Sequence, residues 1–212
     1  MNGHRDVLVP VLEEARRLGF LGPGPVETHL DHAGGYAAAL EHDAGPAWLP
    51  ARAADLGSGA GLPGLPLALQ FADTQWTLVE ASVRRAAFLR EAVRELGLEA
   101  RLAVVEERAE VIGRAPEYRG RFDLVVARSF GPPAVLAECA APLLRVGGRA
   151  VVSEPPGGEP ERWPAGGLAQ LGMAPGAGVQ AGGAAYQVLR QDEPCPDRWP
   201  RRVGVPTKQP LF

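Results

Sequence analysis

Residues 55–64, Asp-Leu-Gly-Ser-Gly-Ala-Gly-Leu-Pro-Gly, are followed 16 residues later by an acid, Glu80. Ala-Arg-Ala-Ala at residues 51–54 leads into the first feature, and a short apolar run with strand-type residues, Trp76-Thr77-Leu78-Val79, leads into the second. Such runs are typical of buried strands. Glycine permits a tight backbone turn and the close approach of a ligand, which a Cβ would prevent. The stretch therefore predicts a strand, a glycine-rich turn that opens a helix, and a second strand that ends in an acid.

The spacing of the glycines distinguishes between adenosine cofactors. A dinucleotide-binding turn requires Gly-x-Gly-x-x-Gly, but the position five after Gly57 is Leu62. The carboxylate of Asp55, two residues before the first glycine, would repel a pyrophosphate and attract the ammonium and sulfonium groups of S-adenosylmethionine. Glu80 could accept hydrogen bonds from both ribose hydroxyls. The pattern favours S-adenosylmethionine, and a purely structural turn is the alternative.

Length and composition limit the class of protein. The 212 residues, 46% of them hydrophobic, suit one α/β domain with a full core. A net charge of -3 argues against a surface that is basic throughout, but it permits a local basic patch. Cys139 and Cys195 lack metal-type spacing and suggest no disulfide framework. The charged N-terminal residues resemble neither a signal peptide nor a membrane span, so we expect a cytoplasmic protein.

Helix and strand patterns alternate along the chain. Two short N-terminal helices are predicted at residues 5–19 and 26–41. Strands are predicted near residues 51–56, 76–79, 100–105, 122–127, 149–153 and 185–190, and residues 154–183 leave room for one further helix and strand. The alternation predicts a doubly wound sheet that binds its ligands at the carboxyl ends of the strands, near the switch point.

Four segments together resemble the small-subunit ribosomal RNA methyltransferase G family, also called glucose-inhibited division protein B. They are residues 55–66, residues 79–91 with Val-Glu and Arg-Ala-Ala-Phe-Leu-Arg-Glu, residues 123–130 with Asp-Leu-Val-Val-Ala-Arg-Ser-Phe, and residues 198–206 with Arg-Trp-Pro-Arg-Arg-Val-Gly-Val-Pro. The Leu-Pro-Gly-Leu-Pro extension of the turn and the Pro-Arg-Arg tail are more specific than a generic methyltransferase turn. The resemblance covers residues 27–212.

The resemblance implies an α/β, class I S-adenosylmethionine-dependent methyltransferase fold, with a doubly wound, mostly parallel seven-stranded sheet and short N-terminal helices. Residues 1–212 would form a single methyltransferase domain, with an N-terminal helical segment (1–50) followed by a Rossmann-like core and basic tail (51–212). The implied reaction is methyl transfer to N7 of a guanine in 16S rRNA, and the small ribosomal subunit is the implied partner. We expect a monomer that uses neither a metal ion nor a membrane.

Site residues are implied by the same resemblance. The turn would hold the methionine half of the cofactor, Glu80 its ribose, and the segment after the third strand its adenine. The implied cofactor-binding residues are Asp55, Gly57, Gly59, Gly61, Leu62, Glu80, Arg108, Ala109, Glu110 and Arg128. Arg128, at the end of the fourth strand, is also the implied catalytic residue. The implied RNA-binding residues are Arg198, Arg201, Arg202 and Lys208.

The chemistry of guanine N7 agrees with this set of residues. N7 carries an in-plane lone pair and no proton, so its methylation requires alignment of the base rather than a general base. Arg128 could donate to O6, beside N7, and orient the guanine without occupying that lone pair; a structural salt bridge is its alternative role. The base must be unpaired or splayed out, and an aromatic ring such as Phe130 could stack on it.

The chain departs from the family at three places, the first of which is a shortened N-terminal helical region in which the family's Asn-Leu-Thr element is not recognisable. The family usually has a lysine just after the fifth strand, where this chain has Ser153-Glu154-Pro155-Pro156. His29-Leu30-Asp31-His32 resembles the family's His-x-x-Asp-Ser only loosely, and we interpret these histidines as surface or packing residues. Two alternatives stay open: a methyltransferase of the same fold with another RNA or a small molecule as acceptor, and a non-catalytic RNA module that binds the cofactor.

Overall fold

The computed structural model describes residues 4–155 and 160–212. Within these ranges seven strands form one sheet in the order β3-β2-β1-β4-β5-β7-β6. The strands are β1 (Arg52–Leu56), β2 (Gln75–Val79), β3 (Leu102–Val105), β4 (Phe122–Ala127), β5 (Leu144–Glu154), β6 (Met173–Ala181) and β7 (Ala184–Gln191). The helices are α1 (Arg5–Arg17), α2 (Val26–Ala44), α3 (Gly64–Gln70), α4 (Val83–Glu95), α5 (Ala109–Ile112), α6 (Pro133–Ala140), α7 (Ala165–Ala169) and α8 (Val205–Lys208).

The strand order creates a switch point between β1 and β4. The chain passes from β1 outward to β2 and β3, and then returns to the other side of β1 to form β4 and β5. The neighbouring pairs β1–β2, β2–β3, β1–β4 and β4–β5 are parallel. Only β7 runs antiparallel to its neighbours β5 and β6. Leu56 is in register with Val79 on one side and Ala127 on the other, so the carboxyl ends of three strands are level. A ligand crevice is expected at this edge. The predicted doubly wound, mostly parallel seven-stranded sheet is confirmed.

Alternating side chains of the central strands bury both faces of the sheet. Ala53 and Leu124 pack into the layer formed with α1 to α4, whereas Ala54 and Val125 pack into the layer formed with α5 to α7. All six residues of β4 are buried. A parallel strand covered on both faces needs such a continuous apolar sequence, which is why residues 122–127 predict a strand so clearly.

The glycines of α2 permit close packing on the C-terminal hairpin. A Cβ on Gly35 would lie 2.2 Å from the Tyr186 hydroxyl oxygen, so a larger residue is excluded there. The neighbouring Tyr36 donates a hydrogen bond from its hydroxyl to the Ala127 carbonyl at 2.8 Å. Together these contacts hold α2 beside the end of β4. The division of the chain at residue 50 stays a prediction.

The segment after β4 differs in detail from the sequence prediction. Strand β5 begins at Leu144 rather than near residue 149, and it contains Gly147 in the left-handed region (φ 83°). Its pairing with β4 shifts register between Phe122 and Leu124, so the strand continues through a glycine-containing irregularity that looks like a break in the sequence. The predicted further helix and strand are present as α7 and β6, and a 3-10 turn at Pro160–Arg162 precedes them. Pro156 lies outside the described residues.

Candidate active site

The turn between β1 and α3 depends on glycine for its backbone conformation and for its packing. Gly57, Gly59 and Gly61 have φ angles of 68°, 56° and 87°. A Cβ on Gly57 would lie 2.9 Å from the Phe130 ring, and one on Gly61 would lie 2.3 Å from Leu65. The Gly57 N–H donates to the Val79 carbonyl at 2.9 Å, which ties the turn to the end of β2. The spacing of the motif is therefore a requirement of the folded turn.

Glu80 lies directly after β2 and connects the turn to α4. One carboxylate oxygen accepts a hydrogen bond from the Gly59 N–H at 2.9 Å, and the other accepts one from the Ser82 N–H at 2.8 Å. The side chain is nearly buried but lines a cavity at the sheet edge. Because each carboxylate oxygen has a second lone pair, Glu80 can still accept hydrogen bonds from a diol.

Asp55 is fully buried beneath the turn. Its Oδ2 accepts a hydrogen bond from the Gly64 N–H at 3.1 Å, while Oδ1 is buried with no hydrogen-bond partner among the described residues. Burial raises the pKa of Asp55 to about 7, although the bond from Gly64 and the nearby Arg128 oppose the rise. An unsatisfied buried carboxylate oxygen is suited to a cationic ligand. Asp55 shapes the turn and does not line the cavity.

The first cavity, about 260 Å³ in volume, lies at the carboxyl ends of β1, β2 and β4. Its wall includes Gly57, Val79, Glu80, Ala81, Arg85, Glu107, Arg108, Ala109, Glu110, Ser129, Phe130, Val135, Cys139 and Thr207. This wall brings together five of the ten residues predicted to bind the cofactor. Gly59, Gly61, Leu62 and Asp55 belong to the turn but do not line this cavity, and the Leu62 side chain packs in the core. Their cofactor contacts stay predictions.

Glu110 connects the first cavity to the C-terminal tail. It accepts a hydrogen bond from the Gly204 N–H at 3.0 Å, and its Oε2 lies 3.5 Å from Arg108 Nε. Burial opposes the charge on Glu110, but the Gly204 N–H and the Arg108 guanidinium outweigh that effect and lower its pKa. The same tail places Thr207 in the cavity wall. No pattern in the sequence predicts this role of Thr207.

A second cavity, about 340 Å³ in volume, adjoins the first. Its wall includes His32, Ala127, Ser129, Phe130, Gly131, Pro133, Leu136, Val152, Ser153, Glu154, Pro155, Arg162 and Trp163. Ser129 and Phe130 therefore line both cavities. Ser129 has a φ of 55°, the one positive φ of a non-glycine residue within 4–155 and 160–212. Such backbone strain tends to occur at functional sites.

Arg128 lies beside α2 rather than on the wall of either cavity. Its Nη1 is 3.5 Å from His29 Nδ1, and it forms no ion pair with a residue in the described part of the chain. Burial lowers its pKa, while the proximity of Tyr36, Asp55 and Tyr186 opposes that effect. Burial and the charge of Arg128 lower the pKa of His29 in turn. His29 thus lies beside Arg128 and His32 lies on the wall of the second cavity, two positions that the sequence does not predict.

The basic tail divides into structural and exposed residues. Arg201 donates from Nε to buried Glu138 at 2.9 Å, and its Nη2 donates to the Gln209 carbonyl at 2.8 Å. These bonds give Arg201 a structural role. Arg198, Arg202 and Lys208 are exposed. RNA binding by all four residues stays a prediction.

The chain was compared with known proteins. Residues 44–154 match the family model described as rRNA small subunit methyltransferase G (GidB). A Ribosomal RNA small subunit methyltransferase G from Rubrobacter xylanophilus is 37% identical over 210 residues, covering 92% of this chain and 78% of the relative. One from Deinococcus radiodurans is 41% identical over 174 residues, covering 74% and 65%. The chain belongs to the rRNA small subunit methyltransferase G family. The predicted family is confirmed.

Solved structures support the fold of this methyltransferase G family member. A candidate O-methyltransferase from Klebsiella pneumoniae has a TM-score of 0.63 at 16% identity, covering 87% of this chain and 89% of that one. MtNAS, solved in complex with MTA and tNA, has a TM-score of 0.58 at 15% identity, covering 90% and 71%. The predicted class I methyltransferase fold is confirmed, and S-adenosylmethionine is the cofactor of this methyltransferase.

The residues of this methyltransferase G family member fit that cofactor. Glu80 presents acceptor oxygens at the cavity wall, and Asp55 has an unsatisfied buried oxygen. Within residues 4–155 and 160–212, no group of three or more His, Cys, Asp or Glu side chains is placed to hold a metal ion. None of the described helices is long and apolar enough to span a bilayer.

Proposed function

We propose that this rRNA methyltransferase transfers the methyl group of S-adenosylmethionine to N7 of a guanine in 16S rRNA within the small ribosomal subunit. The observation that supports the proposal is the pair of adjoining cavities, which share Ser129 and Phe130 at the switch point of the sheet. One cavity has the acids that a cationic adenosine cofactor requires, and the other is available to the base. Cytoplasmic location and a monomeric state stay predictions.

Three groups of the chain would hold the cofactor in the first cavity. Glu80 would accept the ribose hydroxyls while its bonds to Gly59 and Ser82 keep the carboxylate in place. Asp55 would face the positive methionine end from beneath the turn. Segment 108–110 would border the adenine. When bound, the sulfonium supplies an electrophilic methyl group.

The acceptor side needs alignment rather than proton transfer. The N7 lone pair would accept the methyl group that the bound cofactor supplies, and no proton would leave the base, so the residues of the chain need only orient the ring. Arg128 would donate to guanine O6 and orient the ring. The lowered pKa values of His29 and His32 leave both imidazoles neutral near pH 7. Among His29, His32 and Arg128, the positive charge is then carried by Arg128 alone.

Labelled-methyl transfer to undermethylated small subunits tests the proposal. Label on N7 of one 16S guanine supports it. Label on another RNA or on a small molecule supports the alternative acceptor, and cofactor binding without turnover supports a non-catalytic module. Either of these last two outcomes overturns the proposal.

Arg128→Ala tests the assigned role of Arg128 in transfer. Loss of an orienting charged donor is expected to lower kcat about a hundredfold and leave the cofactor Kd unchanged. Arg121→Ala is the matched control, because Arg121 precedes β4 at the opposite edge of the sheet. An unchanged kcat in Arg128→Ala would show that the assignment is wrong.

A further inference from the structure

A second cluster of polar side chains, which includes an ion pair, lies on the wall of the second cavity. It consists of Glu154 at the end of β5, Arg162 at the end of the 3-10 turn Pro160–Arg162, and Trp163 directly after that turn. Trp163 Nε1 donates to Glu154 Oε1 at 2.7 Å, and Arg162 Nε lies 2.9 Å from Glu154 Oε2. The Glu154 side chain is 9% exposed and that of Arg162 is 37% exposed. The carboxylate is therefore the buried support, and the guanidinium is the accessible group.

The contacts of Arg162 use only part of its hydrogen-bonding capacity. A guanidinium has five N–H donors in a planar fork. In the described ranges its one charged partner is Glu154, and the N–H is not aligned with the carboxylate for a hydrogen bond. The Trp163 ring is buried and fixes Glu154 in turn. Arg162 Nε thus lies beside Glu154, while part of the Arg162 side chain stays exposed at the cavity wall.

The rest of this cavity indicates which chemical group the guanidinium would meet. Phe130, Pro133, Leu136 and Val152 give it apolar walls suited to a flat base. A fixed guanidinium is suited to a planar or tetrahedral oxyanion that accepts two hydrogen bonds. A nucleotide carries both features, a base and a phosphate. The guanidinium cannot occupy N7, because that lone pair receives the methyl group.

We propose that Arg162 binds the phosphate of the acceptor nucleotide, and that Glu154 is a positioning residue that holds Arg162 at the mouth of the second cavity. The inference rests on the proposed function, since it takes the second cavity as the acceptor site. The competing role for Arg162 is that of a counter-ion for buried Glu154, with no contact to RNA.

Salt dependence of RNA binding distinguishes these two roles. Each phosphate contact contributes about 0.7 to 0.9 to the slope of log K against log salt concentration. The test measures binding of undermethylated 16S rRNA over a range of KCl concentrations, cofactor binding by calorimetry, and melting temperature for each variant. Arg162→Ala is expected to reduce the slope by about one and to raise KM for RNA about tenfold, with an unchanged cofactor Kd.

Two variants keep the test decisive. Arg190→Ala is the matched control, because Arg190 is similarly exposed, also faces a carboxylate (Asp192 at 3.9 Å), and pairs with Arg149 in the middle of β5, five residues from Glu154. Its slope is expected to equal that of the wild type. Arg162→Lys retains the charge and is expected to retain the slope while binding RNA more weakly, because the bidentate geometry is lost.

A double-mutant cycle tests the positioning role of Glu154. Glu154→Gln is expected to change RNA affinity in the wild-type background but not in Arg162→Ala, because it acts through the guanidinium. Equal effects in both backgrounds would overturn that role. A wild-type slope in a folded Arg162→Ala variant would overturn the inference alone, whereas absence of methyl transfer to small-subunit RNA by the wild type would overturn the proposed function.

Discussion

The two cavities on either side of Phe130 are built in different ways. At the first, two acids accept hydrogen bonds from nearby backbone N–H groups: Glu80 on the cavity wall accepts from Gly59 and Ser82, and Asp55, buried beneath the turn, accepts from Gly64. In the second, the polar groups are side chains from separate elements. His32 comes from α2, Glu154 from β5, and Arg162 from the turn that follows.

This difference determines which side chains keep their position when the surrounding sequence changes. A carboxylate held by main-chain donors keeps its position for almost any surrounding sequence, provided that the glycines of the turn are present. A site made of side-chain pairs depends on each partner, so one substitution changes its charge and shape. The cofactor side is therefore carried by a motif, and the acceptor side by contacts between distant residues.

The largest expected effect is on stability, and it involves the C-terminal tail, which forms part of the wall of the first cavity. Arg201→Ala leaves the fully buried Glu138 without its guanidinium, and a broken buried pair typically costs about 3 kcal/mol of unfolding free energy. Urea denaturation measures this loss, and a weaker cofactor affinity should accompany it, because the same tail places Thr207 in the wall. Arg202→Ala is the neighbouring exposed control, with a change within about 0.5 kcal/mol. Equal stability of the two variants would show that the tail is not anchored through Arg201.

The second largest expected effect is on cofactor affinity, and it involves Glu80, the acid directly after β2. Glu80→Ala removes the acceptors proposed for the ribose and releases Gly59 and Ser82, so cofactor affinity should fall about a hundredfold or more. Calorimetry measures the change, and Glu95→Ala on the exposed face of α4 is the control. RNA binding in the absence of cofactor should stay unchanged. A parallel loss of RNA binding would contradict the separation of the two cavities.

Asp55 makes cofactor binding depend on pH. Its folded pKa is raised to about 7 by burial, so the carboxyl is protonated at pH 5.5 and ionised at pH 8. A cationic ligand favours the ionised form, so cofactor affinity should rise with pH by up to about tenfold per unit up to pH 7, and level off above it. Since the pKa is raised on folding, this group makes the unliganded protein less stable as pH rises from about 4 to 7.

Calorimetry at several pH values, in buffers of different ionisation enthalpy, measures the affinity and the protons released. Asp55→Asn removes the titrating group while it keeps a similar shape, and it should abolish the pH dependence between pH 5.5 and 7. The same pH dependence in that variant would show that another group is responsible.

The sequence predicts the parts of the molecule that depend on local structure. Residues 55–64, with Glu80, predict the turn and the acid, because these features are joined by backbone bonds within one βαβ unit. All-apolar strands such as β4 are recognisable for the same reason. The start of β5 is missed because its glycines resemble a loop, and only pairing with β4 extends the strand.

Contacts between distant residues account for the remaining differences. His29 meets Arg128 across 99 positions, and Arg201 meets Glu138 across 63. No short pattern indicates such a pair, so the sequence predicts neither the contact of His29 with Arg128 nor that of Arg201 with Glu138. The acceptor side of the site was therefore harder to predict than the cofactor side.

The smallest expected effect concerns the exposed residues of the tail. Arg202 and Lys208 are solvated and form no ion pair with a described residue, so each would contribute one weak phosphate contact. Arg202→Ala or Lys208→Ala should weaken RNA binding about two- to fivefold at physiological salt and reduce the salt slope by less than one, without altering the cofactor Kd. Gln209→Ala, an exposed neutral neighbour, is the control. Because these contacts carry no base recognition, the loss should be the same for specific and unrelated RNA. A loss confined to the specific RNA would mean that the tail reads a particular structure rather than charge alone.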